Sequence, residues 1–182
     1  MEISTDRLLL RLGEASDIPF ILAYHRENEK FHAPFEPQKP QDFFHENRWA
    51  KQLETNHADF ENGQSMRLWL FKRKEEKIAG SVNFTNVVRG PFQACNLGYG
   101  LDENEQGKGL MSEALKAAIS FVFQEWRLHR IQANYLSHNR RSAKLLEKLG
   151  FEVEGLAKNY LLIAGKWRDH VLSSLPNPHW IN

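Results

Sequence analysis

Leu110, Ala114, Ala117, Ala118, Phe121, Val122 and Trp126 recur at helical spacing, and so wide an apolar stripe predicts a helix laid on a sheet. The other segments follow from the same kind of pattern. Residues 7–12 form a short leucine-rich strand closed by Gly13. Ser16 and Asp17 then offer N-cap oxygens and Pro19 suits a first turn, predicting a helix to about Asn28. Three prolines between Ala33 and Gln41 make that stretch irregular. Phe44, Trp49, Leu53 and Phe60, set among charges, predict a second helix over 41–60, ended by Asn62-Gly63.

The middle of the chain changes period. Residues 66–72 and 78–88 carry β-formers around a Glu75-Glu76-Lys77 turn, and after Gly90-Pro91 the segment 92–101 makes the third strand of a meander. A polar, glycine-bearing loop over 102–109 leads into the apolar helix. Beyond it come a strand over 131–136 and a short helix from Asn139 through Leu149, with Leu145, Leu146 and Leu149 inward and Gly150 as its stop. A hairpin over 151–163 and 166–175 has Ala164-Gly165 at its tip, and 176–182 is an irregular tail. No repeat, linker or low-complexity tract interrupts this order. The expectation is a mixed α+β sheet forming a single domain over 1–182.

Composition narrows the function. With 24 Lys plus Arg against 23 Asp plus Glu, the net charge is +1. No field of one sign exists to gather nucleic acid or an anionic membrane, so recognition must be local. The lone Cys95 excludes an internal disulfide framework and fits a reducing compartment. The N-terminus has no apolar run of signal-peptide type, and no run approaches the roughly 18 residues of a membrane helix. A cytoplasmic protein is expected.

The candidate chemistry lies at Gln106-Gly107-Lys108-Gly109-Leu110-Met111, where a strand gives way to the apolar helix. Glycines there let N–H groups turn toward a ligand, and the helix start adds unpaired donors and a partial positive charge, which suits a phosphate or pyrophosphate. A tight turn into a helix explains the same residues equally well. A Walker loop is excluded, because six residues separate Gly100 from Gly107 and Lys108 is followed by Gly109. The dinucleotide fingerprint fails because Gly98-Tyr99-Gly100 has Glu103 where its third glycine belongs.

Gln106-x-x-Gly109-x-Met111 resembles the acetyl-coenzyme A pyrophosphate loop of the GNAT N-acetyltransferases, with Met111 departing from the usual Gly or Ala. Gly109-Leu110-Met111-Ser112-Glu113-Ala114 is similar to the branch that acetylates ribosomal-protein N-termini. So are Asn139-Arg140-Arg141-Ser142, Lys148-Leu149-Gly150-Phe151, the run from Glu154 to Ile163, and Gly165-Lys166-Trp167-Arg168-Asp169-His170. Through these motifs, which span nearly its whole length in order, the chain resembles the ribosomal-protein-alanine N-acetyltransferase, RimJ/RimL-like, branch.

The resemblance implies a GNAT fold: a central, mostly antiparallel sheet, flanked by helices, that splays to admit the pantetheine arm. It implies acetyl-coenzyme A as cosubstrate, with no metal. Backbone groups of Tyr99, Gly100 and Leu101 would pair with the arm. Gln106, Gly107, Lys108, Gly109, Leu110 and Met111 would hold the pyrophosphate. Asn139 would bond the far end of the arm, or cap the short helix, or both. Ser142 would be proton donor or thiolate stabiliser, or else a surface serine in the first turn of the short helix; Leu146 occupies the position where many relatives keep a tyrosine. Tyr160 is a second catalytic candidate or a packing residue. Phe31 to Pro37 would wall the acceptor groove.

The general base is not visible: Asn96 and Asn134 stand where relatives keep a glutamate. An α-amine of pKa about 7.7–8.0 costs about 1.4 kcal/mol to neutralise at pH 7, against about 4.6 kcal/mol for a lysine. That argues for an N-terminal amine, and the branch implies the N-terminal alanine of a small-subunit ribosomal protein. The enzyme would act as a monomer or homodimer. Asp169 and His170 are possible relay members, although Asp169 also suits an arginine partner. No histidine pair has ligand spacing, because His45-Glu46 meets Trp49 where a second histidine belongs. Cys95 reads as a small core residue rather than an acetyl-carrying nucleophile. A small-molecule amine acetyltransferase, and a non-catalytic coenzyme-binding protein acting in ribosome assembly, stay open beside the leading reading.

Overall fold

The computed structural model describes residues 1–73, 75 and 77–180. In chain order the elements are β1 (Glu2–Ser4), β2 (Leu8–Arg11), α1 (Ile18–Glu27), α2 (Glu29–His32), α3 (Glu46–Glu61), β3 (Met66–Lys72), β4 (Ile78–Val88) and β5 (Ala94–Leu101). They continue with α4 (Leu110–Gln124), β6 (Arg130–Gln132), β7 (Tyr135–Leu136), α5 (Arg140–Lys148), β8 (Glu152–Ile163) and β9 (Lys166–Pro176). Glu76 of the expected turn, and Ile181 and Asn182 of the expected tail, lie outside the described residues.

The strands join in the order β1-β2-β3-β4-β5-β6-β9-β7, with β8 on the other edge of β9. Every pairing is antiparallel except β5 with β6. Alternation along β4 shows how the sheet divides its faces: Val82 and Phe84 are fully buried, while Ser81, Asn83 and Thr85 point to the other side half-exposed. The first face packs under α4, whose Leu110, Met111, Ala114, Leu115, Ala118, Ile119 and Val122 are all buried. Each large apolar side chain fully buried there contributes roughly 1.5–3 kcal/mol. The second face is covered at Trp69 and Ile78 by Ile21 and Leu22 of α1 and by Trp49 and Leu53 of α3.

Several expected elements take different bounds, each for a local reason. The expected strand over 131–136 divides into β6 and β7. Between them the Ser173 amide donates to the Asn134 side chain at 3.4 Å, so a side chain replaces one rung of the ladder. The segment 31–37 is less irregular than its prolines suggest: α2 runs to His32 and Pro34 sits in a 3-10 turn over Ala33–Phe35. The second helix begins only at Glu46, because the amides of Phe43 and His45 close turns onto Pro40 and Asp42. The long helix stops at Gln124, leaving Trp126 beyond it with its ring 6.1 Å from that of Phe60. Of the three inward leucines of α5, Leu146 is buried and Leu145 and Leu149 are partly so.

Asp17 does not cap α1 with its side chain. Its two oxygens accept from Arg11 Nη2 at 2.8 Å and Nη1 at 2.6 Å, and Oδ2 also accepts from the Glu14 amide at 2.8 Å. Burial alone would raise the Asp17 pKa, but the Arg11 and Glu14 hydrogen bonds outweigh it and hold the carboxyl below its ordinary value. A depressed folded-state pKa stabilises above the unfolded-state value and is lost as pH falls through the folded one. Asp17→Asn is therefore expected to destabilise by about 1.5–3 kcal/mol at pH 7. The difference from the wild type should shrink as the pH drops below the ordinary carboxylate range. Urea denaturation over a pH series measures it, and a pH-independent difference would contradict the assignment.

Candidate active site

Strand β5 is held by β4 along its whole length, from Ala94 opposite Val88 to Leu101 opposite Gly80. On its other edge it pairs with β6 only at Ala94, Cys95 and Asn96. Past Asn96 the sheet therefore opens beside Leu97 to Leu101. Successive residues of a strand direct their N–H and C=O groups to opposite edges. The Leu101 carbonyl faces away from β4 and accepts from His32 Nε2 at 2.9 Å and Gln106 Nε2 at 3.2 Å. By alternation, Tyr99 presents its backbone groups to the same opening. The Gly100 carbonyl instead lies against β4, so close that a Cβ on Gly80 would meet it at 2.3 Å. Only glycine fits at position 80.

The loop after β5 makes a 3-10 turn over Glu103–Glu105 and then places Gly107 at φ 77° and Gly109 at φ 79°, with Gly109 as the N-cap of α4. These left-handed values favour glycine and turn the following amides outward. Leu110 and Met111 bury their side chains in the core, so what they offer at the surface is the N–H groups of a helix start. Nothing lies within 4 Å of the place a Gly107 Cβ would take. The Gln106 side chain turns inward, reaching the Leu101 carbonyl and, at 3.4 Å, that of Asp102. It holds the loop to the strand.

Two features that the sequence pattern did not reveal fix this loop. Arg7 Nη1 donates to the Lys108 carbonyl at 2.9 Å. Glu113, in the first turn of α4, accepts from Arg7 Nε, the Arg7 amide and the Thr5 hydroxyl. Lys108 and Lys72 both lie 3.1 Å from Glu105. Burial opposes it, but these lysines keep the Glu105 carboxylate ionised below its ordinary pKa, and its charge is balanced locally.

Across the opening, α5 begins at Asn139, whose Oδ1 accepts from the Ser142 amide at 3.1 Å. Asn139 is thus seen as an N-cap, and among the described residues its side-chain Nδ2 makes no hydrogen bond. Ser142 Oγ lies 2.6 Å from the Tyr99 hydroxyl. Burial pushes the Tyr99 phenol up to about 12, although its bond to Ser142 acts the other way. The sequence singled out Tyr99 for its backbone; that its side chain meets Ser142 is a finding of the structure.

Segment 31–36 spans the opening. His32 bonds β5, the Phe31 ring lies 5.7 Å from the Arg141 guanidinium, and the Phe35 ring lies 6.2 Å from His138. The Ala164 amide, at the tip of the β8–β9 hairpin, donates to the Glu36 carbonyl at 3.0 Å. Tyr160 sits apart from Ser142, in an irregular stretch of β8. Its hydroxyl is 3.3 Å from Asn134 Nδ2 and its ring 5.7 Å from that of His170. Asp169 accepts from the Asn159 amide at 2.8 Å rather than from an arginine. His170 is buried, with Nδ1 3.0 Å from the Arg168 carbonyl.

Cys95 is buried, and burial pushes its thiol up to about 12, far from a thiolate nucleophile at neutral pH. Among the described residues no group of three or more His, Cys, Asp or Glu is placed to hold a metal ion, and no helix is long and apolar enough to cross a membrane.

Residues 7–152 match the acetyltransferase (GNAT) domain family. The chain is 45% identical to the [ribosomal protein uS5]-alanine N-acetyltransferase of Escherichia coli over 180 residues, covering 99% of this chain and 93% of that protein. A ribosomal-protein-S5-alanine acetyltransferase from Vibrio fischeri superposes with a TM-score of 0.95 at 36% identity, each chain fully covered. RimJ of Mycobacterium smegmatis, solved in complex with CoA-disulfide, superposes with a TM-score of 0.86 at 26% identity over 93% of this chain and 81% of that one. With its open sheet beside a glycine-bearing helix start, this chain belongs to the GNAT acetyltransferase family.

Proposed function

We propose that residues 1–182 act as one cytoplasmic acetyltransferase domain that moves the acetyl group of acetyl-coenzyme A onto the N-terminal α-amine of a ribosomal protein, with an alanine terminus on uS5 as the leading acceptor. The observation that carries this reading is the opening past Asn96, flanked by a glycine-bearing helix start on one side and the Ser142 hydroxyl on the other. The 45% identity to a uS5-alanine N-acetyltransferase, over nearly the whole length of both proteins, supports the acceptor.

In this reading the amides of Gly107 through Met111 take the pyrophosphate, favoured by the partial positive charge of the α4 start. The Tyr99 backbone and the Leu101 amide receive the pantetheine arm. Gly100, its carbonyl turned to β4, offers the arm no backbone pair, and the absence of a side chain there makes way for Tyr24, whose hydroxyl a Cβ would meet at 3.3 Å, while Asn139 Nδ2 would bond the arm. The neutral amine attacks the thioester carbonyl, a C–N bond forms, the C–S bond breaks, and Ser142 stabilises the departing sulfur. Tyr160, with Asn134 and His170, belongs to the acceptor side. No carboxylate base is required for an α-amine that is already about a tenth neutral at pH 7.

Incubation with acetyl-coenzyme A and a panel of amines tests the assignment through release of free thiol. A peptide beginning with the uS5 alanine should turn over, and an internal-lysine peptide, spermidine and an aminoglycoside should not. Turnover of spermidine without the peptide would replace the protein acceptor by a small amine. Ser142→Ala should lower turnover at least about tenfold while coenzyme affinity holds. Gly109→Ala should weaken coenzyme binding in calorimetry through roughly 1 kcal/mol of backbone strain at a positive φ; unchanged affinity would place the pyrophosphate elsewhere.

A further inference from the structure

We propose that Tyr99 is a positioning residue whose hydroxyl donates to Ser142 Oγ, so that the Ser142 hydrogen is left to point at the departing sulfur and the pair stabilises the thiolate without protonating it. This rests on the acetyltransferase reading above and assigns the division of labour inside its site.

Two hydroxyls 2.6 Å apart can place only one hydrogen on the line between them. Were Ser142 the donor, its oxygen would turn only lone pairs toward the sulfur and repel a growing negative charge. A phenol is a stronger acid than an alkyl alcohol and so the better donor, which favours the opposite order. The surroundings hold that order in place. The Tyr99 side chain packs against the main core, and Ser142 is its hydroxyl's one partner among the described residues. The Ser142 amide is tied to Asn139 Oδ1, which fixes the first turn of α5 and the point from which Oγ projects.

The same groups are poor proton sources. The half-buried Tyr99 phenol holds its proton up to about 12. A departing thiolate, whose thiol has a pKa of about 8.5, would draw a proton from such a group, through Ser142, only against an equilibrium roughly 10³-fold unfavourable. The amine proton lost when the C–N bond forms goes to solvent or to the thiolate. Both hydroxyls begin and end the reaction protonated.

The thiol of bound coenzyme A reports this directly. Its ionisation, followed by the ultraviolet absorbance of the thiolate, should occur at lower pH in the wild-type complex than in free coenzyme A. Tyr99→Phe and Ser142→Ala should each return it toward the free value, and the double variant should go no further. Acetyl transfer by Tyr99→Phe should fall roughly tenfold, the scale of one hydrogen bond, in kcat and not in KM for acetyl-coenzyme A. In the Ser142→Ala background the Tyr99 substitution should cost nothing more. Tight coenzyme binding with an unmoved thiol pKa, or losses from the two substitutions that multiply independently, overturns the inference alone. Absence of coenzyme binding to the wild type overturns the acetyltransferase reading and this inference with it.

Discussion

A β-strand whose outer edge is left unpaired inside a protein must find partners for its N–H and C=O groups, and the parting of β5 from β6 creates that demand at the centre of this molecule. β4 cannot meet it, because β4 already occupies the other edge of β5 for its full length. β6 cannot either, since it ends at Gln132 and the chain follows β9, with the Ala133 amide bonded to the Ser173 carbonyl at 2.9 Å. The protein supplies its own partners at one end of the opening, where His32 and Gln106 converge on the Leu101 carbonyl. Around Tyr99 no such partner occurs among the described residues, and this is the edge that the proposed coenzyme arm would complement.

What surrounds the opening reads as reinforcement of that geometry. The glycine loop meets the N-terminal strands through Arg7, and the first turn of α4 meets the same arginine through Glu113. The loop is thus braced by residues more than a hundred positions earlier in sequence. Segment 31–36 ties β5, the start of α5 and the β8–β9 tip together, so both banks of the cleft share one strap. The charges near the helix start are internally balanced at Glu105, which removes a carboxylate that would otherwise repel a phosphate.

Much of this was legible in sequence, and its limits are physical. β4, the β8–β9 hairpin tip and the glycine loop declare themselves through period-2 alternation, Ala164-Gly165 and Gly107/Gly109, all of which act over a few residues. β1 did not, because three residues with one half-buried side chain carry no pattern. The break at Asn134 depends on Ser173, 39 residues away, choosing a side chain over a backbone partner. Around the opening, Gln106, Asn139 and Ser142 were singled out through local motif. Gln106 turned inward onto the Leu101 and Asp102 carbonyls just before it, whereas Tyr99 gained its hydroxyl partner through a contact that only α5 packed against β5 provides. Arg7 and His32 carried no local signal at all.

The two asparagines at the glutamate positions deserve a chemical rather than an evolutionary reading. Asn134 spends its oxygen on the Ser173 amide and its nitrogen on Tyr160, so it holds the β6–β7 break and the Tyr160 hydroxyl in place. A carboxylate there would have no hydrogen to offer Tyr160. Asn96 sits at the last rung before the sheet opens, between Thr85 and Gln132, on the face opposite the buried Cys95. With both positions neutral, neither can take a proton from a lysine ammonium, whose neutral form costs several kcal/mol at pH 7. The cleft can accept an amine that arrives deprotonated. Under the proposed transfer to an α-amine, in which Ser142 stabilises the leaving sulfur and water takes the proton, the acceptor would be selected by its basicity before any of its side chains is read.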